Sequence, residues 1–145
     1  MGETQSSRSI GRSVLAIVVG IAAGVIPTLI TDAVLHKTGF FPPYGQWTPS
    51  GPLAVATAYR IFYSILGSYV VARLAPSHPM GHALISGALG VIVSTAGAIA
   101  TWNQNLGPHW YATALIVTAL PCAWAGGKMR TLQLPGTGAS AHAAG

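Results

Sequence analysis

The stretch Leu53-Ala-Val-Ala-Thr-Ala-Tyr-Arg-Ile-Phe-Tyr-Ser-Ile-Leu-Gly-Ser-Tyr-Val-Val-Ala72 decides how this chain folds. It is mostly apolar, and about 20 such residues in a helix cross the hydrocarbon core of a bilayer. A single charge, Arg60, interrupts it. Because a charge inside a membrane is costly and is usually paired, this stretch predicts both a membrane helix and a partner for Arg60.

The composition of the whole chain agrees with a membrane protein. Only 6% of its 145 residues are charged and 51% are hydrophobic, and the mean hydropathy is +0.54. A typical soluble protein carries about 25% charged residues, so this chain cannot cover an ordinary water-exposed surface. The hydrophobic residues are grouped into four stretches of roughly membrane length.

The pattern predicts an all-α fold, an integral membrane four-helix transmembrane bundle. A polar N-terminus, residues 1–12, precedes the transmembrane domain of residues 13–130. A tail at 131–145 is rich in small and polar residues, which predicts disorder. Breaks rich in Gly and Pro separate the helices, which are expected at about 13–36, 53–73, 79–101 and 110–126.

The basic residues predict the orientation of the bundle. The net charge is +5, but the basic residues are scattered singly, which argues against binding to nucleic acid. Cytoplasmic flanks of membrane helices are enriched in Lys and Arg. With both termini cytoplasmic, only Lys37 lies outside, and the inner side carries Arg8, Arg12, Arg73, Lys128 and Arg130. We therefore expect a multi-pass protein of the plasma (inner) membrane with both termini inside.

A cleaved signal peptide is an alternative reading of the N-terminus. A basic start and an apolar run containing Ala22-Ala23-Gly24 resemble the three-part signal pattern. The apolar run continues to Leu35, however, and contains no Ala-x-Ala site. The first segment is therefore expected to stay as a membrane helix.

Small residues predict where the helices pack. Gly20 and Gly24 form a GxxxG motif, which allows a neighbouring helix to approach closely. Helix three has small residues at four-residue spacing, which favours a central position for it: Ser86, Gly90, Ser94 and Ala98. Gly126-Gly127 is expected to end helix four.

Asp32 is the only acid in any of the hydrophobic segments and is the expected partner of Arg60. At 1.5 Å per residue, both lie within roughly 10 Å of the outer end of their helices. The pair is expected to clamp the first two helices, with hydrogen bonds from Thr31, Tyr59 or Tyr63. The competing interpretation is a substrate or proton site, because ionisable groups inside membranes often mark transport pathways.

Histidines near this pair raise the question of a metal site. Asp32 and His36 are four residues apart on one helical face, and His109 lies in the other outer loop. A carboxylate with two imidazoles is a known ligand set. Nothing in the sequence brings His109 to the pair, so no metal and no cofactor are expected, and His36 and His109 are supporting polar residues only.

No enzyme signature is present. The chain lacks a phosphate loop, HExxH, Gly-x-Ser-x-Gly, CxxC and a pair of carboxylates for acid–base work. We therefore expect a non-catalytic accessory or assembly component of a membrane complex. The alternative is a small oligomeric transporter or channel using Asp32 and Arg60. The expected partners are the lipid bilayer and either copies of itself or a larger membrane complex.

Overall fold

The computed structural model describes the backbone of residues 2–135 and the side chains of residues 4–135, and this part of the chain is all-α. It contains four helices and no strand. The helices are α1 (Gly2–Lys37), α2 (Ser50–Leu74), α3 (Pro79–Thr101) and α4 (Trp110–Gln133). By length and composition, three segments are apolar enough to cross a membrane: Thr4–Lys37, Ser50–Leu74 and Pro79–Thr101. The expected all-α fold with helices of membrane length is confirmed for these three.

Two helices extend beyond their expected ends. Helix α1 already begins at Gly2, within the expected polar segment 1–12. Helix α4 continues past Gly126-Gly127 to Gln133, so the expectation of a glycine stop is wrong. These glycines lie at close contacts between helices, and most residues that follow them are good helix formers. Of the expected disordered tail, residues 131–133 are therefore helical, and 136–145 lie outside the described residues.

Helix α2, and not α3, lies at the centre of the bundle. It packs against all three other helices, whereas α3 packs mainly on α4 and only slightly on α1. Within residues 2–135, α1 and α4 do not pack together. The reason is that α2 is approached closely on two sides, through Gly67 and through Gly126 of α4. The ridge of small residues on α3 was therefore a misleading guide to the central helix.

The GxxxG motif of α1 packs directly on α2. A Cβ placed on Gly67 would lie 2.7 Å from the carbonyl oxygen of Gly20 and 3.3 Å from Cα of Gly24. A Cβ on Gly24 would lie 2.9 Å from the carbonyl oxygen of Tyr63. Only glycine permits this approach of two backbones. The prediction that this motif packs a neighbouring helix is confirmed, and that helix belongs to the same chain.

Helix α4 lies between α2 and α3 through a similar device. A Cβ on Gly126 would lie 2.6 Å from the carbonyl oxygen of Ile65 and 2.6 Å from the backbone nitrogen of Tyr69. A Cβ on the next residue, Gly127, would lie 2.9 Å from Cβ of Ala83 on α3. Consecutive glycines thus allow α4 to approach two helices at one level.

Large apolar side chains point outward and small ones pack inside. The buried apolar residues are mainly alanines, and Val71 is the largest side chain that is fully buried. Large exposed residues occur on every helix, for example Leu29, Phe62, Ile99 and Val117, each at least 60% exposed. Packing through small residues beneath an apolar exterior is typical of a bundle surrounded by lipid.

The loops 38–49 and 102–109 lie together at one end of the bundle, which we call the loop end. The backbone N–H of Thr48 donates to the carbonyl oxygen of Leu106 at 2.8 Å. Trp110 Nε1 donates to Ser50 Oγ at 3.3 Å, so α2 and α4 begin side by side. The opposite end, where α1 begins and α4 ends, is the terminal end.

Candidate functional site

Asp32 of α1 and Arg60 of α2 form an ion pair near the loop end. Arg60 Nη2 donates to Asp32 Oδ2 at 2.5 Å. The Asp32 side chain is 16% exposed and the Arg60 side chain 31% exposed. It is the only ion pair among the side chains of residues 4–135. The close backbone contact of α1 and α2 through their glycines brings the two side chains to the same level.

Tyr59 engages the second oxygen of the carboxylate. Its hydroxyl donates to Asp32 Oδ1, so both carboxylate oxygens have a donor from α2. Thr31 and Tyr63 lie next to the pair and bond to each other, with 3.1 Å between their oxygens. Thr31 also donates to the carbonyl oxygen of Pro27 at 2.8 Å. Of the three residues that the sequence suggested as hydrogen-bond donors to the pair, only Tyr59 binds it directly.

The two histidines lie elsewhere. His36 Nδ1 is 2.8 Å from the backbone oxygen of Asp32, not from its carboxylate, and its ring stacks on Tyr44 with 3.8 Å between centroids. His109 lies against Trp102, with Nε2 3.2 Å from that residue's carbonyl oxygen. Among the side chains of residues 4–135, no three His, Cys, Asp or Glu residues are grouped as metal ligands. Thus neither imidazole joins the carboxylate of Asp32.

The sequence did not indicate a role for Tyr111, near the start of α4. Its half-buried side chain lies beside Arg60. In the sequence, Tyr111 follows Trp110 and looks like an aromatic at the membrane interface. Only the packing of α4 on α2 identifies it as a third-helix contact of the ion pair.

A cleft of about 300 Å³ opens beside the pair, between α1 and α3, with α2 and α4 as its floor. It exists because α1 packs closely on α2 but barely touches α3. Asp32 does not line it. The polar residues that line it carry guanidinium or hydroxyl groups: Thr28, Arg60, Tyr63, Ser64, Ser68, Ser86, Ser94 and Thr118.

Several donors in this cleft have no acceptor. Thr28 and Thr118 donate to carbonyl oxygens of their own helices. The hydroxyls of Ser64, Ser68 and Ser94, in contrast, form no hydrogen bond within residues 2–135. Arg60 Nε is buried and also unpartnered within that range. A lining of hydroxyl and guanidinium donors without a carboxylate is suited to an anion.

Comparisons with known proteins leave the functional argument to this geometry. No model of a protein family matches the chain, and neither the curated proteins nor the solved structures contain a match. The membrane class is therefore supported by the three apolar helices, and any finer role depends on the ion pair and the cleft.

Proposed function

We propose that the chain is a four-span protein of the plasma membrane, with both termini on the cytoplasmic side. The contacts of α4 support a fourth span: it begins beside Ser50 and lies against Ser68 at Gly126, alongside most of α2. Because α2 is long and apolar enough to cross a membrane, a helix running beside it covers the same depth. The excess of Lys and Arg at the terminal end supports the orientation.

Within that membrane, the role that we propose is a non-catalytic accessory or assembly component. The observation that carries it is the closed ion pair: both oxygens of Asp32 accept hydrogen bonds from α2. A carboxylate held in this way links α1 to α2 and fixes the register of the two helices. Helix α1 is held almost entirely by α2, which leaves a large apolar surface for copies of the chain or for larger subunits.

A small oligomeric transporter or channel is the second candidate, and the cleft is the observation that favours it. Arg60 belongs both to the ion pair and to the cleft lining. In that role Arg60 would attract an anion, and the hydroxyls of Ser64 and Ser94 would replace part of its hydration shell. The mostly apolar surroundings would suit an organic anion better than a strongly hydrated ion.

Purification in a mild detergent, followed by mass spectrometry of co-purifying proteins, tests the first candidate. Stoichiometric larger subunits with no flux in proteoliposomes are the expected result. The second candidate predicts flux of a probe anion, benzoate or chloride, that Arg60→Gln abolishes while the protein remains folded. Tyr44→Phe is the matched control, because it removes a tyrosine hydroxyl that lies outside the cleft lining. Benzoate flux that survives Tyr44→Phe but not Arg60→Gln would replace the accessory role with transport.

A further inference from the structure

Two arginines lie side by side at the terminal end of the bundle. Arg73 lies in the last turn of α2 and Arg130 in the last turn of α4. The backbones of these helices meet where Gly126 contacts Tyr69. Each arginine is four residues, or about one helical turn, beyond that contact on helices that run in the same direction. The two arginines therefore lie at the same height along the parallel axes of α2 and α4.

A chain of hydrogen bonds holds one of them at this interface. Arg73 Nη1 donates to Tyr69 Oη at 3.2 Å, and Tyr69 Oη donates to Gln133 Oε1 at 2.7 Å. Tyr69 thereby turns Arg73 towards α4. Because Gln133 accepts through its oxygen, its amide nitrogen keeps two N–H donors for another group. We call Tyr69, Arg73, Arg130 and Gln133 the terminal basic cluster.

These positive charges have no carboxylate partner within residues 4–135. The single ion pair of that range, Asp32 with Arg60, lies towards the opposite end. Arg130 Nε is buried and donates to no acceptor there. The carbonyl ends of α2 and α4 offset part of the charge, since cations are favourable at helix C-termini. They do not supply the planar pair of acceptors that guanidinium groups bind best.

We propose that the terminal basic cluster binds a phosphate group, supplied by the headgroup of an anionic phospholipid. Arg73 and Arg130 bind its oxygens through their guanidinium N–H groups, and the Gln133 amide provides a further donor. Tyr69 is a positioning residue, because it acts through Arg73. This proposal rests on the proposed membrane insertion, which places the ends of α2 and α4 at the headgroup level. Free phosphate carries the same chemistry, so the test separates the two sources.

The test uses the full chain in detergent and native mass spectrometry. The probes are dioctanoyl phosphatidylglycerol, dioctanoyl phosphatidylcholine and inorganic phosphate. The wild-type chain is expected to retain phosphatidylglycerol, and Arg73→Gln or Arg130→Gln to weaken that binding by about tenfold each, through loss of charge-assisted hydrogen bonds. Tyr69→Phe is expected to weaken it by about threefold, since a neutral hydrogen bond contributes less.

Lys128→Gln is the matched control, because it removes the same charge from the same end of α4 at an exposed position. A small effect of about twofold, from bulk charge alone, is expected there. Arg130→Lys is a second variant, for use if Arg130→Gln fails to fold. It keeps the positive charge but loses the two parallel N–H donors of the guanidinium group, so we expect it to bind phosphatidylglycerol partially. Inorganic phosphate that competes at equal concentration would identify free phosphate as the ligand of the same residues.

Equal losses in Lys128→Gln and Arg130→Gln, or equal retention of both phospholipids, would overturn the phosphate site. If the two arginines had only a structural role, Arg73→Gln and Arg130→Gln would lower the melting temperature by the same amount in phosphatidylglycerol and in phosphatidylcholine. Extraction of the membrane fraction with alkaline carbonate tests insertion separately. A chain that resists extraction but shows no selectivity refutes the phosphate site alone, whereas an extracted chain refutes the membrane proposal.

Discussion

Arg60 of α2 donates from Nη2 to Oδ2 of Asp32 on α1 across 2.5 Å, joining residues 28 positions apart in the chain. Both belong to helices that are long and apolar enough to cross a membrane. In such surroundings the pairing offsets the free-energy cost of placing each charge among apolar residues, and removing one residue leaves the other charge unpaired. The pair therefore fixes the register of α1 against α2 near the loop end, while Gly20, Gly24 and Gly67 fix their separation.

Breaking this pair from one side should destabilise the bundle. We expect Asp32→Asn and Arg60→Leu each to lower the free energy of unfolding by ~3 kcal/mol, because each leaves a partly buried charge without its partner inside an apolar helix. The double variant should lose less than the sum of the two. Unfolding in mixed detergent micelles measures all three, and Asp32→Asn combined with the distant Arg73→Leu should be additive. If the loss of unfolding free energy in the Asp32–Arg60 double variant equalled the sum of the two single losses, the two residues would not be energetically coupled.

The two tyrosines near the pair should differ in importance. Tyr59 donates to a carboxylate, whereas the hydroxyl of Tyr63 meets only Thr31. We expect Tyr59→Phe to cost about 2 kcal/mol of unfolding free energy and Tyr63→Phe about 1 kcal/mol, since hydrogen bonds to charged groups are stronger. The same micelle unfolding measures both. A larger effect at Tyr63 would contradict the arrangement of donors described here.

Glycine at position 67 should be required for the approach of α1 to α2. We expect Gly67→Ala to reduce the unfolding free energy by about 2 kcal/mol, because the added Cβ meets the backbone of Gly20. Gly97→Ala on α3 is the matched control, since nothing lies within 4 Å of its Cβ position. It should be neutral or slightly stabilising through better helix propensity. Equal effects at the two positions would argue against this packing.

The proposed topology can be read with reporter fusions. A reporter placed after Arg130 should give a cytoplasmic signal, because α4 is expected to return the chain to the side on which α1 begins. A second reporter, inserted in the loop 38–49 between α1 and α2, should give an external signal. An external signal from the fusion after Arg130 would mean that α4 does not span the membrane or that the orientation is reversed.

The helical class followed directly from the sequence because the relevant signals are local. Apolar runs of membrane length and breaks rich in Gly and Pro mark helices without reference to their neighbours. The ends of α1 and α4 were harder to predict from the sequence. Gly126-Gly127 looks like a helix stop in isolation, yet these residues continue the helix because α2 and α3 need their small size.

The candidate site could be predicted from the sequence only in part. Asp32 and Arg60 stand out because each is the single charge in its apolar stretch, and matching their depths needs only the helical rise. The sequence could not show which hydroxyl donates to the Asp32 carboxylate, because this depends on the direction of each side chain. Thr31, Tyr59 and Tyr63 were therefore equal candidates. Tyr111 and the cleft depend on how α4 and α3 pack, and no local pattern in the chain encodes that.

The sequence by itself determined that this chain forms long apolar helices and that one acid and one base in them need each other, because hydrophobicity and the cost of an isolated charge are properties of the residues themselves. Only the tertiary structure decided that α2 is the central helix, that Tyr59 completes the ion pair, and that α1 and α3 separate to leave a cleft. Those outcomes depend on which glycines meet across helices, and close approach of two backbones is a property of pairs of surfaces.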